Sequence, residues 1–435
     1  MSEFPKETEV VVVGAGIAGT MTAYFLAKRG VPVVVCEKGR VAGEQSSRNW
    51  GFVRKQGRDP RELPAVIESL RIWEGLEAEL GEDIGWHQGG SLYLAENDDD
   101  LAHYERWMDF AREYQLDTRL LSPDEVDAQI GGEGRIWKGG MFTASDGRAE
   151  PEKAVPAVAR ALQRMGGTVL TECAVRTVER AAGKVIGVVT EKGPIACRAV
   201  VCAAGAWSSL FSRNLGHGFP QLKVRASVLR TKPAPLATES NVMSSGAGFR
   251  RRQDGGYTIG RSGAAIFEIV PDALRYFRDF QPGRKSQPGM KLKFNDAFFR
   301  ELVRPNKWQG DQVTAFERYR VLDPAPDMAM LGGMIRFARQ NFPQLGPVEI
   351  AEAWAGMIDV TPDAIPVMSA VDGLEGYFVA TGFSGHGFGI GAGVGRIMAE
   401  LAMGESVCVD LHPFRLARFT DGSPIELFSK QSWRG

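Results

Sequence analysis

The chain has 435 residues, and its 52 Lys and Arg nearly balance its 53 Asp and Glu, for a formal charge of −1. A content of 44% hydrophobic and 24% charged residues excludes disordered and fibrous chains, and the lack of a basic excess argues against nucleic-acid binding. Five cysteines without a C-x-x-C pair argue against a disulfide framework or a metal site, and no apolar run reaches about 18 residues. We expect a cytoplasmic protein, with peripheral contact to the inner face of a membrane left open.

The first 37 residues have the pattern of a nucleotide-binding unit. A β-branched run leads into Gly14-Ala-Gly-Ile-Ala-Gly19, a helical stretch, and a second strand that ends at Glu37. Gly14 permits a tight turn, Gly16 lets a pyrophosphate approach the backbone, and Gly19 lets helix and strand pack closely. The helix N-terminus offers free N–H groups to phosphates, and Glu37 is placed to bind a ribose. An acid there disfavours a 2′-phosphate, so the unit predicts FAD or NAD.

Further segments are predicted to close over the cofactor. They are a polar loop at 42–51, a helix at 151–165, a buried strand at 199–202 that turns at Gly205, and the glycine-rich run 382–393 before a helix at 394–403. Alternating glycines before a helix predict a second helix terminus that can stabilise negative charge on a reduced flavin ring. The nucleophile-elbow pattern fails because His386 replaces its last glycine, which argues against a serine hydrolase.

The intervening segments predict a second sheet. Period-two strands are expected at 90–94 and 224–232, a hairpin at 249–261 with its turn at Asp254-Gly255, and helices at 98–114 and 122–130. Together these patterns predict an α/β fold with a Rossmann-like nucleotide-binding unit and a second, mostly antiparallel β-sheet with helices. An insertion near 266–308 is expected to form two helices over the active site, or alternatively to contact a membrane or an acceptor protein.

Five ordered motifs together resemble the D-amino-acid-oxidase superfamily of FAD-dependent oxidoreductases. They are the glycine turn, Ser46-Ser-Arg-Asn-Trp-Gly51, Ala203-Ala-Gly-Ala-Trp207, the Trp354 to Asp363 segment, and Gly382-Phe-Ser-Gly-His-Gly387. Within that superfamily, the stretches 42–48, 190–195, 316–320 and 413–419 are similar to bacterial L-amino-acid deaminases. The resemblance implies a discontinuous, Rossmann-like FAD-binding domain (1–85, 145–220 and 345–435) and a mostly antiparallel β-sheet substrate domain with helices that roofs the substrate (86–144 and 221–344). It also implies FAD, hydride transfer to flavin N5, and hydrolysis of the resulting imine to a 2-oxo acid.

Departures from the family pattern shape the expected site. Gly356-Met357 stands where some relatives attach flavin through cysteine, so non-covalent FAD is expected. Thr258 stands where some oxidases have a lysine. Asp359 stands where many relatives clamp the substrate carboxylate with arginine, which favours a cationic substrate. For a carboxylate clamp we expect Arg261 first, ahead of three other arginines, Arg54, Arg225 and Arg250. His386 is either a general base or a turn residue.

The expected catalytic residues are therefore Arg261, Asp359 and His386. The expected cofactor contacts are Gly14, Gly16, Ile17, Ala18, Gly19, Glu37, Lys38, Gln45, Ser46, Ser47, Arg48, Asn49, Trp50, Gly51, Val175, Ala204, Gly205, Trp207, Gly356, Asp359, Gly382, Gly385, His386, Gly387, Phe388 and Gly389.

The expected activity is FAD-dependent oxidation of an amino acid to a 2-oxo acid, with oxygen or a quinone or protein as electron acceptor. Three alternatives stay open: an oxidase or dehydrogenase of secondary or N-substituted amines, a non-catalytic FAD-holding subunit of a larger dehydrogenase, and an NAD-linked dehydrogenase without flavin. A homo-oligomer is compatible with the sequence.

Overall fold

A computed structural model describes residues 4–132, 136–282 and 290–428. The strands in these ranges are β1 (Val10–Val13), β2 (Val33–Cys36), β3 (Phe52–Val53), β4 (Ser91–Ala95), β5 (Thr118–Leu121), β6 (Gly139–Thr143), β7 (Gly147–Arg148), β8 (Thr168–Leu170), β9 (Val175–Ala181), β10 (Lys184–Thr190), β11 (Gly193–Ala196), β12 (Ala199–Cys202), β13 (Leu222–Thr231), β14 (Asn241–Met243), β15 (Gly248–Arg251), β16 (Tyr257–Gly260), β17 (Ile266–Glu268), β18 (Lys291–Lys293), β19 (Ile350–Val360), β20 (Val367–Ala370) and β21 (Tyr377–Thr381). The α-helices are α1 (Ile17–Lys28), α2 (Gln45–Arg48), α3 (Leu63–Leu80), α4 (Asp98–Glu113), α5 (Pro123–Ile130), α6 (Pro151–Arg164), α7 (Ser208–Asn214), α8 (Pro271–Arg275), α9 (Asp296–Leu302), α10 (Ala315–Arg318), α11 (Met328–Asn341) and α12 (Gly387–Ala402).

A six-stranded sheet, in the order β20-β21-β12-β1-β2-β8, forms the centre of the first layer. All its pairs are parallel except β20 with β21. The four valines of β1 are buried, as expected for a parallel strand that is covered on both faces. Helices α1, α6, α12 and α3 pack together beside this sheet around one apolar core. The predicted Rossmann-like unit is present.

Helix α12 begins at Gly387, seven residues before the predicted start. Its glycines are part of the helix because α12 packs closely against α1 and α3. A Cβ at Gly391 would lie 2.5 Å from Ile17, and one at Gly393 would lie 2.5 Å from the carbonyl oxygen of Ala65. Glycine lowers intrinsic helix propensity, so the sequence pattern suggested a loop. Close helix packing outweighs that cost.

A ten-stranded, mostly antiparallel sheet forms the second layer. Its path is β18-β17-β13-β16-β15-β14-β4-β6-β5, and β19 pairs with β13 in addition. The pair β14-β4 and the pair β17-β18 are parallel. The predicted hairpin at 249–261 is confirmed as β15-β16, with Gly255 at a φ of 80° in its turn. Helix α11 covers one face of this sheet over an apolar core.

Strand β19 differs from the sequence prediction. It lies in the 345–435 segment that we assigned to the FAD-binding domain, yet it pairs with β13 from Leu222↔Val360 to Thr231↔Ile350. Strand pairing between distant segments is a tertiary contact that the local pattern does not reveal. The predicted boundary at 345 therefore separates β19 from the sheet to which it belongs. The other domain boundaries remain a proposal.

The predicted insertion near 266–308 contains strands β17 and β18 and the short helices α8 and α9. Positions 283–289 of its basic run lie outside the described residues. In the part of the chain that is described, no helix is both long and apolar enough to cross a membrane.

Candidate functional site

A cavity lies at the carboxyl ends of β1, β2 and β12, where open α/β sheets bind their ligands. Its predicted lining residues are Gly14, Gly16, Ile17, Ala18, Glu37, Lys38, Gln45, Ser46, Asn49, Val175, Ala204, Gly205, Trp207, Asp359, Gly385, Gly387 and Phe388. Lining residues that the sequence analysis missed are Val13, Cys36, Ala42, Gly43, Glu44, Ala203, Ala206, Phe211, Phe316, Met357, Ile358 and Phe383. Residues that we predicted as contacts but that do not line this cavity are Gly19, Ser47, Arg48, Trp50, Gly51, Gly356, Gly382, His386 and Gly389.

The glycine turn leaves no room for side chains. Gly14 has a φ of 102°, and a Cβ there would lie 2.6 Å from the carbonyl oxygen of Ala203. A Cβ at Gly19 would overlap the carbonyl oxygen of Gly14. Helix α1 begins directly after this turn, and the Ile17 N–H donates to Ser46 Oγ at 2.8 Å. Gly14 and Gly16 also line the cavity, so this tightly packed turn presents its backbone to the cavity at a helix N-terminus, as dinucleotide binding requires.

Glu37 lies at the end of β2 and lines the same cavity. Its Oε2 accepts from the Ala15 N–H at 2.8 Å and its Oε1 accepts from the Gly39 N–H at 2.7 Å. Burial raises the pKa of this carboxyl, although the two backbone N–H groups act in the opposite direction. These bonds hold the acid beside the glycine turn, in the position that suits a ribose.

Some residues of the loop at 42–51 line the cavity, whereas Arg48 connects the loop to other parts of the chain. Gln45, Ser46 and Asn49 line the cavity, and Gln45 Oε1 lies against the backbone of Gly356 without a hydrogen-bond partner among the described residues. Arg48 instead donates to the carbonyl oxygens of Leu322 (2.6 Å) and Ala355 (3.0 Å). The buried guanidinium thus joins this loop to β19, and a cofactor contact by Arg48 stays a prediction.

The segment before α11 closes one side of the cavity. Lys38 Nζ donates to Glu44 at 2.6 Å and to the carbonyl oxygens of Tyr319 (2.9 Å) and Arg320 (2.8 Å). Lys38 also lies 5.0 Å from the Trp207 ring centroid. Residues 316–320 were predicted only to resemble the deaminases, and no contact with the cavity was predicted for them. Repeated aromatic and basic residues in this segment were the one available signal for this contact.

Asp359 is buried, and its carboxylate is used by the chain itself. Oδ2 accepts from the Gly382 N–H at 2.6 Å, from Thr381 Oγ1 at 3.1 Å and from Gln221 Nε2 at 3.2 Å. Burial raises its pKa. The sequence analysis expected this acid to favour a cationic substrate. Since three donors of the protein occupy Oδ2, we propose that Asp359 anchors the turn before α12.

His386 precedes the first residue of α12 and stands between Gly385 and Gly387, which both line the cavity. Its ring is 31% exposed, and its Nδ1 lies 3.5 Å from Oε2 of the fully buried Glu62. The sequence analysis did not identify Glu62. No local pattern relates it to the glycine-rich segment, because only the packing of α3 against α12 brings the two side chains together.

The four candidate arginines differ in how their donors are used. Arg250 is buried and donates with both terminal nitrogens to Glu150, each at 2.8 Å, so it is not available to a substrate. Arg225 Nη1 donates to a carbonyl oxygen at 2.8 Å. Arg261 is exposed and donates through Nε to the carbonyl oxygen of Ser245 at 2.8 Å. Arg54 donates through Nη1 to the carbonyl oxygen of Gln56 and lies over the Tyr93 ring, at 5.4 Å from its centroid.

These residues fit a bound FAD. The backbone of Gly14 and Gly16 borders the cavity at the N-terminus of α1, and the Glu37 carboxylate is held beside this turn by the Ala15 and Gly39 N–H groups. Helix α12 contributes a second N-terminus, since Gly387 and Phe388 of its first turn line the cavity. Two helix termini and one acid around a single cavity suit a dinucleotide that carries a ring able to accept negative charge.

Comparison with known proteins agrees with this fit. The family described as DAO, FAD dependent oxidoreductase, matches residues 9–401. The L-amino acid deaminase of Proteus myxofaciens, solved in complex with anthranilate, is 30% identical and superposes with a TM-score of 0.93, over 97% of this chain and 95% of that chain. The sarcosine oxidase subunit beta of Rhodobacter capsulatus is 26% identical over 96% of this chain and 91% of its own length. Human mitochondrial sarcosine dehydrogenase is 25% identical over 95% of this chain, but this chain spans only 42% of it.

Proposed function

Because this chain belongs to the DAO family of FAD-dependent oxidoreductases, we propose that it oxidises the C–N bond of an amino acid to an imine that water converts to a 2-oxo acid. The observation that carries this proposal is the cavity at the ends of β1, β2 and β12, with the N-terminus of α12 beside it. FAD supplies a hydride acceptor when bound. We propose non-covalent binding, because Gly356-Met357 replaces the cysteine expected for attachment there.

The residues of the chain have separate roles in this proposal. The glycine turn and Glu37 bind the diphosphate and ribose, and the first turn of α12 stabilises negative charge that develops beside it. A substrate carboxylate requires a cationic clamp with free donors. Arg54 and Arg261 meet that requirement better than Arg250, whose terminal nitrogens are both bound to Glu150.

A second candidate is the oxidation of an N-substituted amino acid. It is favoured by the similarity to the sarcosine oxidase subunit beta of Rhodobacter capsulatus, of which this chain covers 91%. That relative is a subunit, so assembly with further chains is part of this candidate. The same comparison keeps the non-catalytic, FAD-holding subunit as the alternative from another class.

Anaerobic reduction of the bound flavin by a substrate panel tests these candidates. The panel contains L- and D-amino acids, glycine, proline, sarcosine and dimethylglycine. We expect the yellow absorbance to bleach with one chemical class of this panel. Bleaching by N-methylated compounds alone would replace the first candidate by the second, and no bleaching by any member would favour the non-catalytic subunit. A protein that stays colourless after reconstitution with FAD would overturn the proposal. Peroxide release in air then distinguishes oxygen from another electron acceptor.

The segment around α8, β18 and α9 carries an exposed apolar surface. Its exposed large side chains are Leu274, Phe277, Leu292, Phe294, Phe299, Leu302 and Val303. Lys291 and Lys293 flank Leu292 on β18 and are exposed as well. We propose that this surface contacts an anionic membrane, since exposed apolar groups beside lysines suit that interface. Sedimentation with anionic vesicles tests it: wild type should bind, and a Leu292→Ser, Phe294→Ser variant should not. Equal sedimentation of both would contradict it.

A further inference from the structure

A buried ionic cluster lies behind the N-terminus of α12. Glu62 has no exposed surface, and neither of its carboxylate oxygens has a hydrogen-bond partner among the described residues. Arg58 is 4% exposed, and its Nε and Nη1 are also buried without a partner. His386 faces the Glu62 carboxylate, with its Nδ1 3.5 Å from Oε2. Nothing in the cofactor site described above uses this carboxylate.

This geometry determines where the neutral imidazole carries its proton. A buried carboxylate without a donor is costly, because it has lost its water and gained no hydrogen bond. His386 Nδ1 is buried and faces Glu62, so a proton on Nδ1 is the arrangement that satisfies both groups. The neutral ring then has an unprotonated Nε2. Since the ring is 31% exposed while, among the described residues, Nδ1 is buried without a partner and Nε2 is not, the accessible edge of the ring is the one that carries Nε2. His386 does not itself line the cavity, but Gly385 and Gly387 on either side of it do, which puts this edge beside the site.

We propose that Glu62 is a positioning residue that holds His386 with Nε2 as a proton acceptor for the substrate ammonium group. This inference rests on the proposed function. One N–H bond of the ammonium breaks, a new N–H bond forms at Nε2, and the amine becomes neutral while the imidazole becomes an imidazolium. The Glu62 carboxylate stabilises that imidazolium. A neutral amine is the form that can then lose a hydride from its α-carbon.

The surrounding charges are consistent with a base that is neutral before the reaction. Burial lowers the pKa of His386, Arg58 and Arg54 lower it further, and Glu62 raises it. Arg58 in turn faces Arg54, Glu62, Tyr93 and Asp146. Glu62 is also close to Asp59 and Arg61. Since Glu62 opposes the effects of burial and of the two arginines, its removal should lower the pKa of His386.

The first test measures the protonation state of His386 and does not require turnover. The chain has five histidines, so ¹⁵N-histidine NMR spectra of the FAD-loaded protein can be assigned with a His386→Gln variant. We expect a protonated Nδ1 and an unprotonated Nε2 in the neutral ring of His386. In Glu62→Gln we expect the pKa of His386 to fall by about one unit or more, because a buried negative charge is lost. A neutral ring protonated at Nε2, or an unchanged pKa, would overturn the proposal.

The second test measures how the rate of flavin reduction depends on pH. Anaerobic flavin reduction by the best substrate of the panel is followed across pH. In Glu62→Gln the acidic limb of the plot of rate against pH should move to lower pH. When Glu62→Gln is combined with His386→Gln, the plot should be the same as for His386→Gln alone. Glu68→Gln is the matched control, because Glu68 also joins α3 to α12, through Arg396 at 2.7 Å, and should leave the profile unchanged. A profile that does not move in Glu62→Gln would contradict the proposal.

The two tests distinguish a failure of the proposed function from a failure of the inference about Glu62 and His386. If no compound reduces the flavin, the proposed function fails while the NMR spectra still report on Glu62 and His386. If Glu62→Gln does not bind FAD, the wild-type spectrum decides, since the protonated nitrogen of His386 is read without that variant.

Discussion

The indole of Trp50 lies directly against the backbone of Gly260. A Cβ at position 260 would overlap Cε2 of the ring, and one at Gly248 would lie 3.1 Å from its Cζ3. Trp50 belongs to the loop beside the glycine turn, whereas Gly248 and Gly260 belong to β15 and β16 of the second sheet. Two glycines therefore make room for one tryptophan, and this contact joins the roofing sheet to the cofactor loop.

We predict that Gly260→Ala lowers the free energy of unfolding by about 1–3 kcal/mol, because the added methyl group forces the indole out of its place. Urea denaturation measures this change. Combining Gly260→Ala with Trp50→Leu should recover part of the loss, since the smaller side chain leaves space for the methyl group. An alanine variant as stable as wild type would show that the indole moves freely.

Gly19→Ala should abolish FAD binding. Its Cβ would overlap the carbonyl oxygen of Gly14, so the turn proposed to bind the diphosphate has to change shape. Visible absorbance after reconstitution with FAD measures the result. Gly75→Ala is the matched control, because Gly75 lies within α3 with nothing within 4 Å of its added Cβ. That variant should stay yellow and gain up to about 1 kcal/mol of stability.

Glu150→Gln should lower the free energy of unfolding by about 3–5 kcal/mol at neutral pH, because it leaves the buried Arg250 without a counter-charge. Although burial raises the pKa of Glu150, the hydrogen bonds and charge of Arg250 lower it overall. A carboxyl whose pKa is lowered in the folded state stabilises the fold at pH values above its ordinary pKa. This stabilisation is lost as the pH falls through the lowered pKa. The difference between wild type and variant should therefore shrink in acid. Urea unfolding at several pH values checks this, and a constant difference would contradict it.

Asp359→Asn should weaken FAD binding and lower the melting temperature, while the order of preferred substrates stays the same. Asparagine keeps one acceptor oxygen but loses the negative charge, so the hydrogen bonds from Gly382, Thr381 and Gln221 become weaker, and its NH2 group donates where the other carboxylate oxygen accepts. Flavin titration and the substrate panel measure the two effects. A selective loss of cationic substrates with normal FAD affinity would instead support the expectation drawn from sequence.

Arg54→Gln or Arg261→Gln should raise the KM for the amino acid substrate roughly 10–100-fold, as expected when a charge-assisted hydrogen bond to a carboxylate is lost. The variant that does so identifies the clamp. An amine analogue without the carboxylate should react equally well with that variant and with wild type. Arg230→Gln is the control, since Arg230 forms ion pairs with Asp254 and Glu352 on the surface. Unchanged KM values in both test variants would exclude a clamp by either arginine.

The features that the sequence predicted well are local ones. The strand, glycine turn, helix and acid of residues 10–37 were predicted together, because each residue type there serves its immediate neighbours. The hairpin at Asp254-Gly255 was predicted for the same reason. The start of α12 was predicted too late, since the packing that makes glycines suitable within this helix comes from α1 and α3.

Most of the differences concern side chains that are used by distant parts of the chain. Arg48 reaches Leu322 and Ala355, Asp359 accepts from Gln221, and Arg250 pairs with Glu150. Each was a reasonable candidate for a ligand, because arginine and aspartate are typical ligand-binding residues. Whether such a group is available to a substrate depends on whether the fold has already supplied it with a partner.

Sequence by itself determined the nucleotide-binding turn, the acid beside it and the family to which the chain belongs. Those signals lie in short runs whose spacing follows from backbone geometry. Only the tertiary structure decided that β19 joins the second sheet, that Trp50 fits against Gly260, and that Glu62 faces His386. These relationships arise where separate helices and strands pack together, and no spacing along the chain records them.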